Sequence, residues 1–399
     1  MVSGFFFFII GLLPLLFITA FCGLEVAISL IQAQVFVVLT ASYIKDALDL
    51  HGDDSEKKVG ASSNLYTTNL SSNKRFRRVY SRSFSSKGRS FSTISSVSKG
   101  SSKQLHPWFI TGFADAESCF YIDIRKASDC KTGWQVQACF KISLHKKDRA
   151  LLEMIRESHR VGNINKDRED SIQFSVKSLK DLSVLIDHFS KYPLLTQKRA
   201  DYELFNRAVD LMNRREHLTL EGLKKIVSLR AAMNNGLSEK QKAAFPDVVP
   251  VQRPLVEDKV PLRADPHWLA GFAAGEASFI VNVSKSSAYL TGMQVRLRFQ
   301  LGQHSRDAKL LTSFEKYLEC GSVYKQTEDV VVFIVTRFSD INEKIIPFFS
   351  KYQIQGVKGL DFADFCKAAE LIKTKAHLTA SGLEQIQEIK AGMNSGRIS

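Results

Sequence analysis

The chain has 399 residues, and its 55 Lys and Arg side chains against 41 Asp and Glu give a formal net charge of +14. This length exceeds one ordinary domain and predicts two domains or two repeats. Hydrophobic residues at 44% and charged residues at 24% exclude a wholly disordered chain. The basic excess favours a polyanionic partner, either nucleic acid or an anionic membrane surface. The six cysteines form no CxxC pair, which argues against a zinc site and a disulfide scaffold.

The first 51 residues are strongly hydrophobic. Two uncharged runs, Phe5 to Phe21 and Val26 to Ile44, are each about long enough to cross a bilayer. No positive charge precedes the first run, so the pattern predicts a membrane hairpin rather than a cleaved secretory signal. Residues 1–51 therefore predict association with a membrane.

The sequence from Gly23 to His51 (GLEVAISLIQAQVFVVLTASYIKDALDLH) resembles the C-terminal end of subunit a of mitochondrial ATP synthase. The resemblance would place Glu25 and Gln32 on that family's proton path, although Gln34 stands where the family has an aromatic residue. We interpret residues 1–51 as an exon remnant. This interpretation predicts a mitochondrial protein that is associated with the inner membrane before processing and soluble in the matrix after cleavage between His51 and Leu105.

Residues 52–104 differ sharply in composition from both of their neighbours. Ser71 to Lys103 contains nine Lys and Arg, thirteen Ser and no acidic residue. This composition offers too little apolar surface to offset the entropy of ordering, which predicts a disordered basic linker.

The rest of the chain is an internal repeat. A shift of 159 residues aligns Trp108–Phe120 (WFITGFADAESCF) with His267–Phe279 (HWLAGFAAGEASF), and a shift of 160 aligns FSKY at Phe189 with FSKY at Phe349. We predict a tandem duplication, with repeats at 105–236 and 265–399 joined by a proline-rich linker at 237–264. Two copies are too few for a solenoid, so they are expected to form pseudo-two-fold partners.

Each copy shows the pattern helix, two strands, helix, two strands, helices, with first helices that begin at Pro107 and Pro266. Alternation of polar and apolar residues places Arg, Lys and Gln on one face of each predicted sheet. Arg and Gln can form paired hydrogen bonds to guanine and adenine edges, which favours nucleic-acid binding over simple solvation. The candidate DNA-binding residues are Arg125, Gln135, Gln137, Lys141, Lys166, Lys285, Gln294, Arg296, Arg298 and Gln300.

The two first helices each carry a stripe of small residues, formed by Gly112 with Ala116 and by Gly271 with Gly275. Small stripes permit close helix crossing, which would bring together the acidic residues that follow them, Glu117 and Glu276. Two such carboxylates would repel each other without a cation between them. Oxygen ligands of this kind favour Mg²⁺, which near a phosphodiester activates water.

These motifs, together with HKKD at His145, HSRD at His304, HLT and MNNG or MNSG, resemble the single-chain, two-motif LAGLIDADG homing endonucleases of fungal mitochondrial introns. The resemblance implies an α+β fold in which two curved antiparallel sheets, each with helices on one face, straddle the DNA major groove. It also implies that Glu117 and Glu276, with the backbone carbonyls of Ala116 and Gly275, hold divalent ions. Each site would then cut one strand of a double-stranded, intron-less target.

The family also places a basic residue near the scissile phosphate, for which Lys325 is the best match, with Gln326 as the alternative occupant of that position and Lys166 as the second candidate, in the first half. The glycine that usually follows each acidic residue is Ser118 in one motif and Ala277 in the other. We expect a monomeric endonuclease. The alternative is a maturase that binds its own intron RNA and does not cut, whereas a membrane protein with an incidental soluble part does not account for the repeat.

Overall fold

The computed structural model describes residues 104–256 and 265–397. The predicted hydrophobic hairpin, nearly all of the predicted basic linker and residues 257–264 lie outside these ranges. Among the described residues, none of the helices is both long enough and apolar enough to cross a membrane.

The first half begins with the helix that carries the first small-residue stripe. Its elements in chain order are α1 (Pro107–Glu117), β1 (Ser118–Lys126), β2 (Trp134–His145), α2 (Arg149–His159), β3 (Asn163–Lys166), β4 (Ser171–Val176), α3 (Leu179–Lys191), α4 (Lys198–Asn213), α5 (Leu220–Ala231) and the short α6 (Glu239–Ala244). This order confirms the pattern predicted for one copy.

The second half repeats that order. Its elements are α7 (Pro266–Glu276), β5 (Ala277–Lys285), β6 (Met293–His304), α8 (Ala308–Tyr317), β7 (Ser322–Lys325), β8 (Val330–Val335), α9 (Phe338–Asp340), α10 (Ile346–Lys351), α11 (Val357–Lys373) and α12 (Ala380–Ala391). A π-helical turn, Ile341–Ile345, joins α9 to α10. Pro107 and Pro266 each stand at the start of a helix, as predicted.

Each half contains one four-stranded antiparallel sheet, in the order β1-β2-β4-β3 or β5-β6-β8-β7. One face of each sheet packs on helices, because alternate residues such as Ala138, Phe140 and Ile142 are buried. Each core is built on five fully buried phenylalanines at equivalent positions: Phe120, Phe140, Phe174, Phe189 and Phe205 in the first half, and Phe279, Phe299, Phe333, Phe349 and Phe365 in the second. The duplication seen in the sequence is therefore a duplication of the core.

The two halves meet along α1 and α7, which cross at their glycines. A Cβ atom added to Gly112 would overlap the carbonyl oxygen of Trp268, and one added to Gly271 would overlap that of Phe109. At the start of the two helices, the rings of His106 and His267 stack with their centroids 3.9 Å apart. The predicted close crossing is confirmed, and only glycine fits at its centre.

Candidate active site

Glu117 and Glu276 are the last residues of α1 and α7, so the crossing brings equivalent carboxylates from the two halves to one end of the helix pair. Gly275 lies against Glu117, because a Cβ atom added to this glycine would lie 3.1 Å from Cγ and 3.2 Å from Oε1 of Glu117. Each acidic side chain therefore belongs to a centre that both helices build.

The electrostatics of this centre match the predicted repulsion. Burial raises the pKa of Glu117 above its ordinary value. Burial, and next the charge of Glu117, raise the pKa of Glu276 to about 7. Two lysines, Lys198 and Lys358, act in the opposite direction on both carboxyl groups. Without further positive charge, the centre favours a proton on one carboxyl group.

These two lysines are candidate functional residues that the sequence reasoning missed. Lys198 is the first residue of α4, and its Nζ donates hydrogen bonds to the carbonyl oxygens of Ala114 at 3.0 Å and Ala116 at 3.2 Å. Lys358 is the second residue of α11, and its Nζ donates to the carbonyl oxygen of Gly275 at 2.7 Å. Burial lowers the pKa of both ammonium groups, whereas the nearby carboxylates raise it. A signal was available, because lysine recurs at this position in both copies at the shift of 160.

The basic residues chosen from the sequence lie elsewhere. Lys325 ends the short strand β7, where it is exposed and paired with Val331, and Lys166 ends β3, exposed and paired with Ile172. The fold thus brings Lys198 and Lys358, rather than this pair, to the carbonyl oxygens at the ends of α1 and α7. A catalytic role for Lys325 stays a prediction without geometric support.

The sheet faces turned away from the helices carry most of the predicted DNA-binding residues. Gln135, Gln137 and Lys141 alternate with the buried residues of β2, and Gln294, Arg296, Arg298 and Gln300 do the same on β6. Arg125 Nε donates to Gln135 Oε1 at 3.1 Å on the neighbouring strand. Lys166 and Lys285, in contrast, have the parity of the core-facing positions, at exposed strand ends.

The junction between each motif helix and its strand does not require glycine. Ser118 has φ −84° and ψ 161°, and Ala277 has φ −74° and ψ 151°, which is extended backbone open to any residue. The hydroxyl of Ser118 donates a hydrogen bond to the carbonyl oxygen of Ala114 at 2.6 Å. The departures from the usual glycine are therefore compatible with the local backbone.

The donors at this centre fit a hard divalent cation. They are two carboxylates that repel each other and the backbone oxygens of Ala116 and Gly275, each of which has a second lone pair besides its bond to lysine. Oxygen-only ligation of this kind suits Mg²⁺ or Ca²⁺, and no Cys or His is needed.

Asp115 fixes the chain just before Lys198. Its carboxylate is 3% exposed and accepts hydrogen bonds from Leu195 N at 2.9 Å, Thr196 N at 3.1 Å and Thr196 Oγ1 at 2.6 Å. Across the seam, Trp268 Nε1 donates to it at 2.8 Å. Burial raises the pKa of Asp115, and these hydrogen bonds lower it. The equivalent position in the second half is Ala274.

Comparisons with known proteins support the duplicated fold. Residues 110–209 and 269–369 match the sequence profile of the LAGLIDADG endonucleases. A structure of the I-SmaMI LAGLIDADG homing endonuclease bound to cleaved DNA is 44% identical, with a TM-score of 0.72 over 74% of this chain and 98% of that one. I-SmaMI has also been solved bound to uncleaved DNA with calcium ions. Further I-SmaMI structures carry alanine in place of two lysines 159 positions apart, singly and together.

Relatives known from sequence match two separate parts of the chain. A probable intron-encoded endonuclease of Neurospora crassa is 43% identical over 299 residues, which are 72% of this chain and 64% of the relative. A second such protein from the same fungus is 38% identical, and the match covers 54% of its length. The chain thus spans less than two thirds of these relatives. ATP synthase subunit a of Emericella nidulans is 72% identical over 51 residues, 13% of this chain, which indicates fusion to an upstream exon and a mitochondrial protein.

Proposed function

Because the chain belongs to the LAGLIDADG endonuclease family, we propose that it is a homing endonuclease that makes a metal-dependent double-strand break at an intron-less DNA site. The observation that carries this proposal is the duplicated set of one carboxylate and one buried lysine at the crossing of α1 and α7. Two equivalent sets suit a reaction that must cut two strands. A maturase that only binds RNA has no need of either set.

Glu117 and Glu276, with the carbonyl oxygens of Ala116 and Gly275, would hold the divalent cation. We propose Mg²⁺, because the donors are all oxygen and the reacting group is a phosphodiester. When bound, the ion activates water and stabilises the departing oxygen. The protein holds the carboxylates at the helix ends, and Lys198 and Lys358 place positive charge beside them.

The two lysines are proposed as the basic catalytic residues, one for each scissile phosphate. Their ammonium groups lie on the helix-end carbonyls that border the carboxylates, where they can stabilise negative charge that develops on a phosphate oxygen. The 159-position spacing of the lysine variants solved for I-SmaMI does not separate this pair, 160 apart, from Lys166 and Lys325, 159 apart, so the assignment rests on the hydrogen bonds of Lys198 and Lys358 to the helix-end carbonyls. Lys325 lacks comparable support.

The polar sheet faces are proposed to bind double-stranded DNA in the major groove through the candidate residues that lie on them, whereas Lys166 and Lys285 lie off these faces at exposed strand ends. Arg296 and Arg298 suit guanine, and the glutamines of β2 and β6 suit adenine.

The active protein is proposed to be a monomer, since both halves lie on one chain, and to act in the mitochondrial matrix after removal of residues 1–51. Binding to its own intron RNA and association with the inner membrane are further proposals.

The test uses the full chain and a duplex that joins the two exons without the intron, with Mg²⁺ or Ca²⁺. Glu117→Gln and Glu276→Gln should each abolish Mg²⁺-dependent double-strand cleavage, because each removes an anionic ligand, whereas DNA binding should persist. Glu221→Gln, at an exposed position on α5, is the matched control and should cut normally. Cleavage that survives in the double variant would remove these glutamates from the mechanism. A wild-type protein that cuts nothing yet promotes splicing would establish the maturase instead.

A further inference from the structure

Asp148 and Asp307, which precede α2 and α8, hold equivalent positions in the two halves but do not cap their own helices. An aspartate at an N-cap normally accepts a hydrogen bond from its own helix, and neither side chain does so. Asp307 Oδ1 instead accepts from the backbone N of Gln197 at 2.8 Å, and Asp148 Oδ1 accepts from that of Val357 at 2.7 Å. Both hydrogen bonds cross from one half to the other.

The residues that donate these bonds stand immediately before the two buried lysines. Gln197 is the N-cap of α4, which begins at Lys198, and Val357 is the first residue of α11, which continues with Lys358. Each aspartate therefore binds the N-terminus of the helix that carries the lysine of the opposite half. A negative charge at a helix N-terminus also interacts favourably with the helix dipole.

The local surroundings differ between the two carboxylates. Gly356 has φ +79°, and a Cβ atom added to it would lie 2.6 Å from Asp148 Oδ1. Glycine at this position is what lets Asp148 reach Val357. Asp307, in the second half, is 6% exposed, and its Oδ2 lies 3.6 Å from Arg306 Nε. Glycine at 356 makes room for the Asp148 carboxylate, and Arg306 lies beside that of Asp307.

We propose that Asp148 and Asp307 are positioning residues that act crosswise, with Asp307 fixing Lys198 and Asp148 fixing Lys358. This inference rests on the proposed function, in which each lysine serves one scissile phosphate. A lysine moves with the first turn of its helix, so losing the acceptor frees that turn to shift away from the reacting group. Displacements of about 1 Å are enough to slow a reaction strongly. Each half then completes the site of the other, and neither strand is cut by one half alone.

The test measures cleavage of each strand separately, with the full chain, Mg²⁺ and the exon-junction duplex labelled on one strand at a time. Lys198→Ala and Lys358→Ala first define which strand each lysine serves. Asp307→Ala should then slow the Lys198 strand, and Asp148→Ala the Lys358 strand, each by about tenfold more than the other strand, the typical cost of a lost hydrogen bond to a charged group. Asp307→Asn and Asp148→Asn keep an acceptor oxygen and should recover much of the rate.

Two controls separate positioning from general damage. DNA affinity in Ca²⁺ should stay within about twofold of wild type, because neither aspartate lies on the sheet faces. Asp247→Ala, at an exposed position in the segment after α6, should change neither strand. Where an alanine variant fails to fold, a smaller bias in the same direction from its asparagine counterpart supports the inference, and equal rates on both strands in that counterpart overturn it.

The failures are distinguishable. If Asp307→Ala slows the same strand as Lys358→Ala, or slows both strands equally, the crosswise assignment is overturned and the proposed nuclease activity is not. Lysine variants that cut both strands at the wild-type rate overturn the lysine roles, and the inference with them. A wild-type protein that cuts neither strand overturns the proposed function itself.

Discussion

The two halves share one set of contacts that holds their buried lysines and differ in another. In the first half, Asp115 binds the backbone just before Lys198 and is itself bound by Trp268 of the second half. Ala274 of the second half stands at the position equivalent to Asp115, Phe109 of the first half at that equivalent to Trp268, and Gly356 at that equivalent to Thr196. The cross-half contacts of Asp148 and Asp307, however, are the same. The surroundings of the two lysines have thus diverged, whereas the aspartate contact to the N-terminus of each lysine-bearing helix is the same in both halves.

The largest expected effect is a loss of stability at the helix crossing, and it should be equal in the two halves. Gly112→Ala and Gly271→Ala each force a methyl group against a backbone carbonyl of the opposite helix, so each should lower the free energy of unfolding by about 3 kcal/mol or more. Gly302→Ala is the control, because its nearest neighbour would be Val332 Cγ1 at an ordinary 3.5 Å. Chemical denaturation measures all three. A mild effect at one glycine only would show that the seam is not evenly packed.

The next effect belongs to the first half alone. Asp115→Ala leaves two backbone N–H groups and Trp268 Nε1 without their acceptor, which should cost about 2–4 kcal/mol of stability. It should also slow cleavage of the strand that Lys198 serves more than the other strand. Ala274→Ser, at the equivalent position, should change little in either measurement. Equal effects at the two positions would contradict the asymmetry described above.

Glu276 makes the stability of the metal-free protein depend on pH. Its pKa is raised from 4.5 to about 7, so the stabilising contribution of its protonated form is full below about pH 4.5 and is lost as pH rises through 7. We expect the free energy of unfolding in EDTA to fall by about 2 kcal/mol between pH 5.5 and 8.5. Glu276→Gln should flatten this dependence, and excess Mg²⁺ should reduce it. If the free energy of unfolding of the wild-type protein in EDTA did not change with pH, the raised pKa of Glu276 would be contradicted.

The smallest effect compares equivalent positions on the two sheet faces, Gln137 and Arg296. Arg296→Ala should weaken DNA binding by about 1–2 kcal/mol and reduce the salt dependence by about one released counterion, since a guanidinium can contact both base and phosphate. Gln137→Ala removes no charge and should leave the salt slope unchanged. Binding titrations at several salt concentrations give both quantities. Identical salt slopes for the two variants would argue that Arg296 contacts no phosphate.

The seam and the carboxylates were predictable because local patterns encode them. Gly112 and Gly271 recur at one shift, and Glu117 and Glu276 follow them at equal distance, so one alignment of the chain with itself placed all four. The lysines were harder to predict, since Lys198 and Lys358 lie outside the longer stretches of sequence shared by the two copies. They reach the site only because α4 and α11 bring them there. The bond between Asp115 and Trp268 has no sequence signal, because it joins residues 153 positions apart that are not equivalent in the two copies.

The extended backbone at Ser118 and Ala277 has a practical consequence for recognising related chains. The helix turns into the strand with ordinary negative φ angles, so substitution of the residue after the acid meets no conformational barrier there. A search pattern that insists on glycine at this place would pass over both halves of this protein. A pattern built on the inter-helix glycine and the acid five positions later would find them both.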